Sequence, residues 1–160
     1  MTGAADGEHG LNGSSKPDAE DRVAAATVGD HRRDSLSEAQ LLDTQRAFDS
    51  VAADYDGPRG NNELIQRMRA TMWDTVAAGL PAGSRLVDLG CGTGLDAFEF
   101  ARRGYRVVAT DWSGSMVERT RLRAQAAGLE SRLTVAHLGI QQLDRLDGEF
   151  DGNYSNFGPL

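Results

Sequence analysis

A chain of 160 residues holds one modest domain with a core of its own, not two full ones. Its composition, 39% hydrophobic and 26% charged, is ordinary, no apolar run reaches the length of a bilayer span, and Met1 to Gly10 lack the basic start and apolar stretch of a secretory signal, so a cytoplasmic location is expected and a membrane partner is not. A net charge of −7 leaves no basic stripe for phosphates, which argues against nucleic acid; the single Cys91 and the scattered His9, His31 and His137 exclude an intrachain disulfide and predict no metal site.

Residues 1–38 mix Gly, Ser, Asp, Glu and Ala without an aromatic residue or a sustained apolar period, and are expected to form a disordered tail ahead of a domain at 39–160. From there Leu41, Phe48, Val51, Ala52 and Tyr55 recur at helical steps, predicting a helix that ends near Gly57-Pro58. Asn62 reads as the N-cap of a second helix with Leu64, Ile65, Met68, Met72 and Val76 on its apolar face and Gly79-Leu80-Pro81 as its stop.

Beyond that turn the pattern alternates strands with helices, as parallel βαβ units do. Strands are expected at Arg85 to Leu89, Arg106 to Thr110, Leu133 to Leu138 and Phe150 to Ser155, with helices from about Leu95 to Arg103 and from Gly114 to Ala127, the latter capped by Ser113. The fold class is α/β, a Rossmann-like parallel sheet with helices on both faces. The stop at Leu160, just past the fourth strand, predicts that only the N-terminal, cofactor-binding half of such a sheet is present.

The segment Val87-Asp88-Leu89-Gly90-Cys91-Gly92-Thr93-Gly94 follows a predicted strand and opens a helix. Glycines at alternate positions let the backbone turn sharply and approach a ligand at the carboxyl end of a strand, although a tight strand-to-helix turn alone would ask for the same residues. Asp88 adds a carboxylate that repels pyrophosphate and attracts an ammonium group, such as the one at the methionine end of S-adenosylmethionine. Asp111 closes the next strand about twenty residues on, the spacing at which an acid reaches ribose hydroxyls.

These residues resemble class I S-adenosylmethionine-dependent methyltransferases, from about Ala47 to the end of the chain. Ala47-Phe48-Asp49-Ser50-Val51-Ala52-Ala53-Asp54-Tyr55-Asp56 looks like the helix that caps the cofactor in the small-molecule and quinone-biosynthesis branches. Asp88 to Gly94 resembles the first motif, and Asp111-Trp112-Ser113-Gly114-Ser115-Met116 the segment after the second strand. The resemblance implies S-adenosylmethionine as cofactor and a small-molecule methyl acceptor, with Gly90 and Gly92 along the methionine moiety, Asp111 on the ribose, and Trp112 and Met116 near the adenine. Where many members carry an adenine-binding acid after the third strand, this chain has Gly139, which leaves that contact to the backbone near Gly139 and Ile140 or to Gln141.

The candidate cofactor-binding set is therefore Asp88, Gly90, Cys91, Gly92, Gly94, Asp111, Trp112, Met116, Ile140 and Asn156, with no catalytic side chain assigned. Several members have a second, structural reading: Asp111 as a helix cap, Trp112 and Met116 as core, Cys91 as a small residue fitting a tight loop, and Asn156 as a strand terminator rather than a group that orients an acceptor. Tyr55 reads as packing the first helix down, and His137 as structural before catalytic. Two other functions stay open: a non-catalytic cofactor-binding fragment, and a nicotinamide-dependent oxidoreductase, whose third glycine would fall on Leu95.

Overall fold

The computed structural model describes residues 37–157; residues 1–36, which hold nearly all of the expected tail, lie outside the described part. The first helix, α1, spans Glu38–Val51 and starts with a capping box: the Ser37 hydroxyl accepts from the Gln40 amide, and the Gln40 side chain accepts from the Ser37 N–H. It stops earlier than its apolar period suggests. Tyr55 and Asp56 sit in successive turns closed by Asp54 N–H to Val51 O and Gly57 N–H to Asp54 O, and a Cβ at Gly60 would fall 1.9 Å from the Tyr55 carbonyl oxygen, so the chain must turn there on a glycine.

Helix α2, Glu63–Gly79, is capped as expected, with Asn62 Oδ1 accepting from the Ile65 N–H at 3.1 Å. Its inward face differs from the expected one. Leu64, Met68 and Met72 are exposed, at 67%, 47% and 40%, while Arg69 is buried and Ile65, Trp73 and Val76 are half-buried. The physical reason is Asp96, on the next helix: its carboxylate binds the Arg69 guanidinium and accepts from Trp73 Nε1 at 2.7 Å, and this polar anchor turns α2 away from the orientation that would bury most hydrocarbon.

The strands are β1 (Arg85–Leu89), β2 (Arg106–Asp111), β3 (Leu133–His137) and β4 (Gly152–Tyr154), joined in one parallel sheet of order β3-β2-β1-β4. Helix α3 (Leu95–Arg102) links β1 to β2, α4 (Gly114–Ala126) links β2 to β3, and a short 3-10 segment, Ile140–Arg145, begins the return to β4. Parallel pairing sets Leu86 beside Val107 and Gly152, and Asp88 beside Ala109 and Tyr154, so the carboxyl ends of the strands share one edge. The strand order reverses between β1 and β4, the place where open α/β sheets form a ligand crevice.

One face of the sheet, through Leu86, Val107, Ala109, Leu133 and Tyr154, packs on Ala97, Phe100 and Ala101 of α3 and Ala124 of α4. Phe100 is fully buried and meets Tyr105 and Tyr154 edge-on, with ring centroids 5.8 and 4.8 Å apart. This core fixes β1 and α3 rigidly, and so fixes the loop between them. Among the described residues no helix is long and apolar enough to cross a membrane.

Candidate functional site: a glycine-lined cavity at the strand ends

The loop after β1 carries three glycines in the left-handed region, Gly90 at φ 68°, Gly92 at 55° and Gly94 at 78°. They do different work. Gly94 is buried, and a Cβ on it would lie 2.5 Å from Thr120 Cγ2 and 2.7 Å from Thr120 Oγ1, so it lets α3 and α4 approach each other. Gly90 and Gly92 face a cavity instead, and a Cβ on Gly92 would meet only the Tyr55 ring, at 3.6 Å.

Asp111, the last residue of β2, reaches across to this loop. Its Oδ2 accepts from the Gly92 N–H and its Oδ1 from the Ser113 N–H, each at 2.8 Å. The helix cap proper is Ser113, whose Oγ accepts from the Met116 N–H at 3.2 Å, so Asp111 is left to pin the loop and present its remaining lone pairs to the cavity. Burial pushes the Asp111 carboxyl above its ordinary range, opposed by these backbone donors and by His137.

Helix α1 covers the cavity with Leu41, Thr44, Gln45 and Phe48. Asp49 fastens it: its Oδ1 accepts from the Ser115 N–H at 3.0 Å and from the Ser113 hydroxyl, contacts that hold its carboxyl below the usual range at the positive end of α4. Trp112 Nε1 donates to the Leu41 carbonyl at 2.9 Å, tying the same helix to the end of β2. Behind Tyr55, Asp56 binds Arg123 at 2.6 Å and accepts from Thr93 Oγ1, which anchors the turn after α1 to α4 and to the glycine loop.

Of the sequence-derived candidates, Gly90, Gly92, Asp111, Trp112, Met116 and Ile140 line this cavity. Four lie behind it. Asp88 is 2% exposed with Oδ2 unpartnered among the described residues, and burial, then Asp96, push its carboxyl well above the usual range. Cys91 has its thiol pushed up by burial and by Asp88 and Asp111, and its Sγ lies 3.8 Å from Thr120 Oγ1, the setting of a packed thiol rather than a nucleophile. Gly94 packs on Thr120, and Asn156 Nδ2 donates to Asp96 Oδ2 at 3.4 Å. His137, at the end of β3, contacts the Trp112 carbonyl at 2.8 Å and does not line the cavity.

The lining also includes Leu41, Thr44, Gln45, Phe48, Tyr55, Ser113, Leu138, Gly139, Gln141 and Phe157. A signal for the α1 group exists in the sequence: positions 41, 44, 45 and 48 follow the i, i+3, i+4, i+7 rule of one helix face. Among the described residues no group of three or more His, Cys, Asp or Glu side chains converges as a metal site.

The family model described as a methyltransferase domain matches residues 86–160, from β1 onward. The demethylmenaquinone methyltransferase of Thermobifida fusca is 36% identical over 121 residues, covering 72% of this chain and 49% of that protein. The tRNA 5-carboxymethoxyuridine methyltransferase of Escherichia coli K12 is 29% identical over 102 residues, covering 61% of this chain and 39% of that protein. In fold, a crystal structure of the cyclase SpnF superposes with a TM-score of 0.61 at 23% identity, covering 71% of this chain and 47% of that one. The chain spans about half or less of the length of the curated relatives it matches, from 32% to 52%. Residues 86–160 are similar to a methyltransferase domain, and the relatives together with the sheet order support a class I S-adenosylmethionine-dependent methyltransferase.

Proposed function

We propose that the cavity binds S-adenosylmethionine and that the protein transfers the methyl group to a small-molecule acceptor in the cytoplasm. The observation that carries the reading is the charge of the lining: among the described residues Asp111 is its only charged side chain, and no lysine or arginine lines it. A pyrophosphate would find no cation there, whereas a ligand with a positive sulfonium and ammonium meets a carboxylate. The residues also fit the ligand's shape. The cavity runs along Gly90 and Gly92, where the methionine portion would lie, Asp111 has lone pairs for ribose hydroxyls, and Trp112 with Met116 offers an apolar surface to a flat base.

S-adenosylmethionine, when bound, supplies an electrophilic methyl group on a cationic sulfur. The chain's own contribution is positional: the loop and Asp111 fix the ligand's orientation against the rigid β1–α3 core, and α1, latched by Asp49, excludes water from above. The small-molecule acceptor rests on the quinone-biosynthesis relatives and on the uncharged remainder of the lining, which has nothing with which to hold a phosphate backbone. Cys91 and Gly94 pack on Thr120 and set the loop against α4, and Asn156 donates to Asp96 on α3.

Isothermal titration with S-adenosylmethionine, S-adenosylhomocysteine and NAD tests the ligand. Saturable heats for the first two and none for NAD are expected; the reverse pattern overturns the reading. Incubating the protein with methyl-labelled S-adenosylmethionine and separately with a small-molecule extract or with bulk tRNA tests the acceptor, and label appearing in tRNA alone would contradict the small-molecule assignment.

A further inference from the structure

We infer that Arg69, on a helix that contributes no residue to the cavity, is a positioning residue for it: braced by Asp96, its guanidinium holds the Phe157 ring in place as the cavity wall beyond β4. The inference rests on the proposed S-adenosylmethionine site for its ligand and goes beyond it in tying that site to α2. Phe157 lines the cavity. It is also, among the described residues, the one residue other than glycine with a positive φ, at 57°. A bulky side chain on left-handed backbone crowds the neighbouring carbonyl, and such a residue persists only where its surroundings fix it.

Three consecutive residues supply that hold, each tied to a different element. Ser155 Oγ donates to the Leu89 carbonyl at the end of β1, at 3.1 Å, and Asn156 Nδ2 donates to Asp96 Oδ2 on α3, at 3.4 Å. Arg69 Cζ, on α2, lies over the Phe157 ring, 5.2 Å from its centroid. The pairing of Arg69 shows what sets its orientation. The side chain is buried and its Nη1 binds Asp96 Oδ2, while its Nε has no hydrogen-bond partner among the described residues. A guanidinium placed for ion pairing alone presents two parallel N–H groups to both carboxylate oxygens. Here Asp96 Oδ1 takes Trp73 Nε1 instead, and the guanidinium gives its face to the ring. Because Asp96 belongs to α3, the helix that the glycine loop opens, the ring is fixed relative to the loop that lines the other side of the cavity.

The test is a double-mutant cycle read by titration with S-adenosylhomocysteine. Phe157→Ala is expected to weaken binding about tenfold, through loss of an apolar wall. Arg69→Lys keeps a positive charge beside Asp96 but has no plane to lay on the ring, and is expected to weaken binding about threefold. In the Phe157→Ala background Arg69→Lys is expected to have no further effect, because the ring it positions is gone. Arg69→Met combined with Asp96→Asn removes the ion pair without leaving a buried charge and is expected to give the same pattern, so the result does not depend on the fold tolerating lysine. Urea denaturation of every variant separates stability from affinity: a residue that only stabilises α2 lowers the midpoint and leaves the dissociation constant unchanged. Wild-type affinity in Phe157→Ala or in both Arg69 variants, or an equal loss with and without the Phe157 ring, overturns this inference alone. Failure of wild type to bind S-adenosylhomocysteine at all overturns the cofactor proposal and this inference with it.

Discussion

Replacing Gly94 with alanine separates the packing glycine of the loop from the ligand-facing ones. Two costs add. The residue keeps φ 78°, a left-handed conformation that costs an alanine roughly 1–2 kcal/mol. The new methyl must also displace Thr120, whose Cγ2, Oγ1 and Cβ lie 2.5, 2.7 and 3.0 Å from it, and overpacking of this kind costs roughly 1–3 kcal/mol. The sum, roughly 2–5 kcal/mol, is a large share of the stability of a domain this size. Urea denaturation followed by the fluorescence of Trp73 and Trp112 reads it directly. Thr120→Ala should recover about half of the loss in the double variant, despite giving up the Thr120 hydroxyl bonds to the Gly92 and Met116 carbonyls, because it removes the two closest atoms. A loss under about 1 kcal/mol, or a double variant whose two costs simply add, would refute the account of Gly94 as a helix-packing position.

Asp96→Ala leaves the Arg69 guanidinium buried without its carboxylate and strips Trp73 and Asn156 of their acceptor, so a loss of about 3–5 kcal/mol is expected by chemical denaturation; a loss below about 1 kcal/mol would show that α2 does not depend on this anchor. Asp88→Asn should behave in the opposite sense. Its folded pKa is raised, so the wild-type fold holds the neutral form more strongly than the unfolded chain does and loses stability as pH climbs from the ordinary carboxylate value toward the folded one; asparagine carries no such penalty, and the variant should gain on wild type across that window and hold a constant lead above it. A lead that shrinks as pH rises would contradict this. Asp111→Asn should weaken S-adenosylhomocysteine binding about tenfold at neutral pH, since hydrogen bonds to a charged acceptor are worth roughly 1.5–3 kcal/mol. In wild type, affinity should fall on acidification through the raised Asp111 pKa, at a pH above that of an exposed carboxylate, and this loss should be absent in the asparagine variant; calorimetry across pH checks both.

The strand and loop half of the fold was legible because its signals are local. The glycines at 90, 92 and 94 need left-handed backbone wherever the loop occurs, and Asn62 and Ser113 cap the helices they precede through bonds to residues three positions on. The orientation of α2 was not legible, since hydrophobic period favours Leu64, Met68 and Met72 as the inner face, and only the folded chain brings Asp96 to Arg69 across 27 residues. The cavity was legible in part: helical spacing puts Leu41, Thr44, Gln45 and Phe48 on one face, but only the folded chain brings the sheet edge beneath that face. Asp88 was read as a charge offered to the ligand; in the fold it is 2% exposed, within β1 and paired on its two sides with Ala109 of β2 and Tyr154 of β4.

The most direct measurement is a crystal structure of the protein with S-adenosylhomocysteine. Density is expected along Gly90 and Gly92, with the ribose hydroxyls on Asp111 and the base against Trp112 and Met116. Ligand density anywhere else on the surface, with the Gly90–Gly92 cavity closed or filled by side chains, would contradict it.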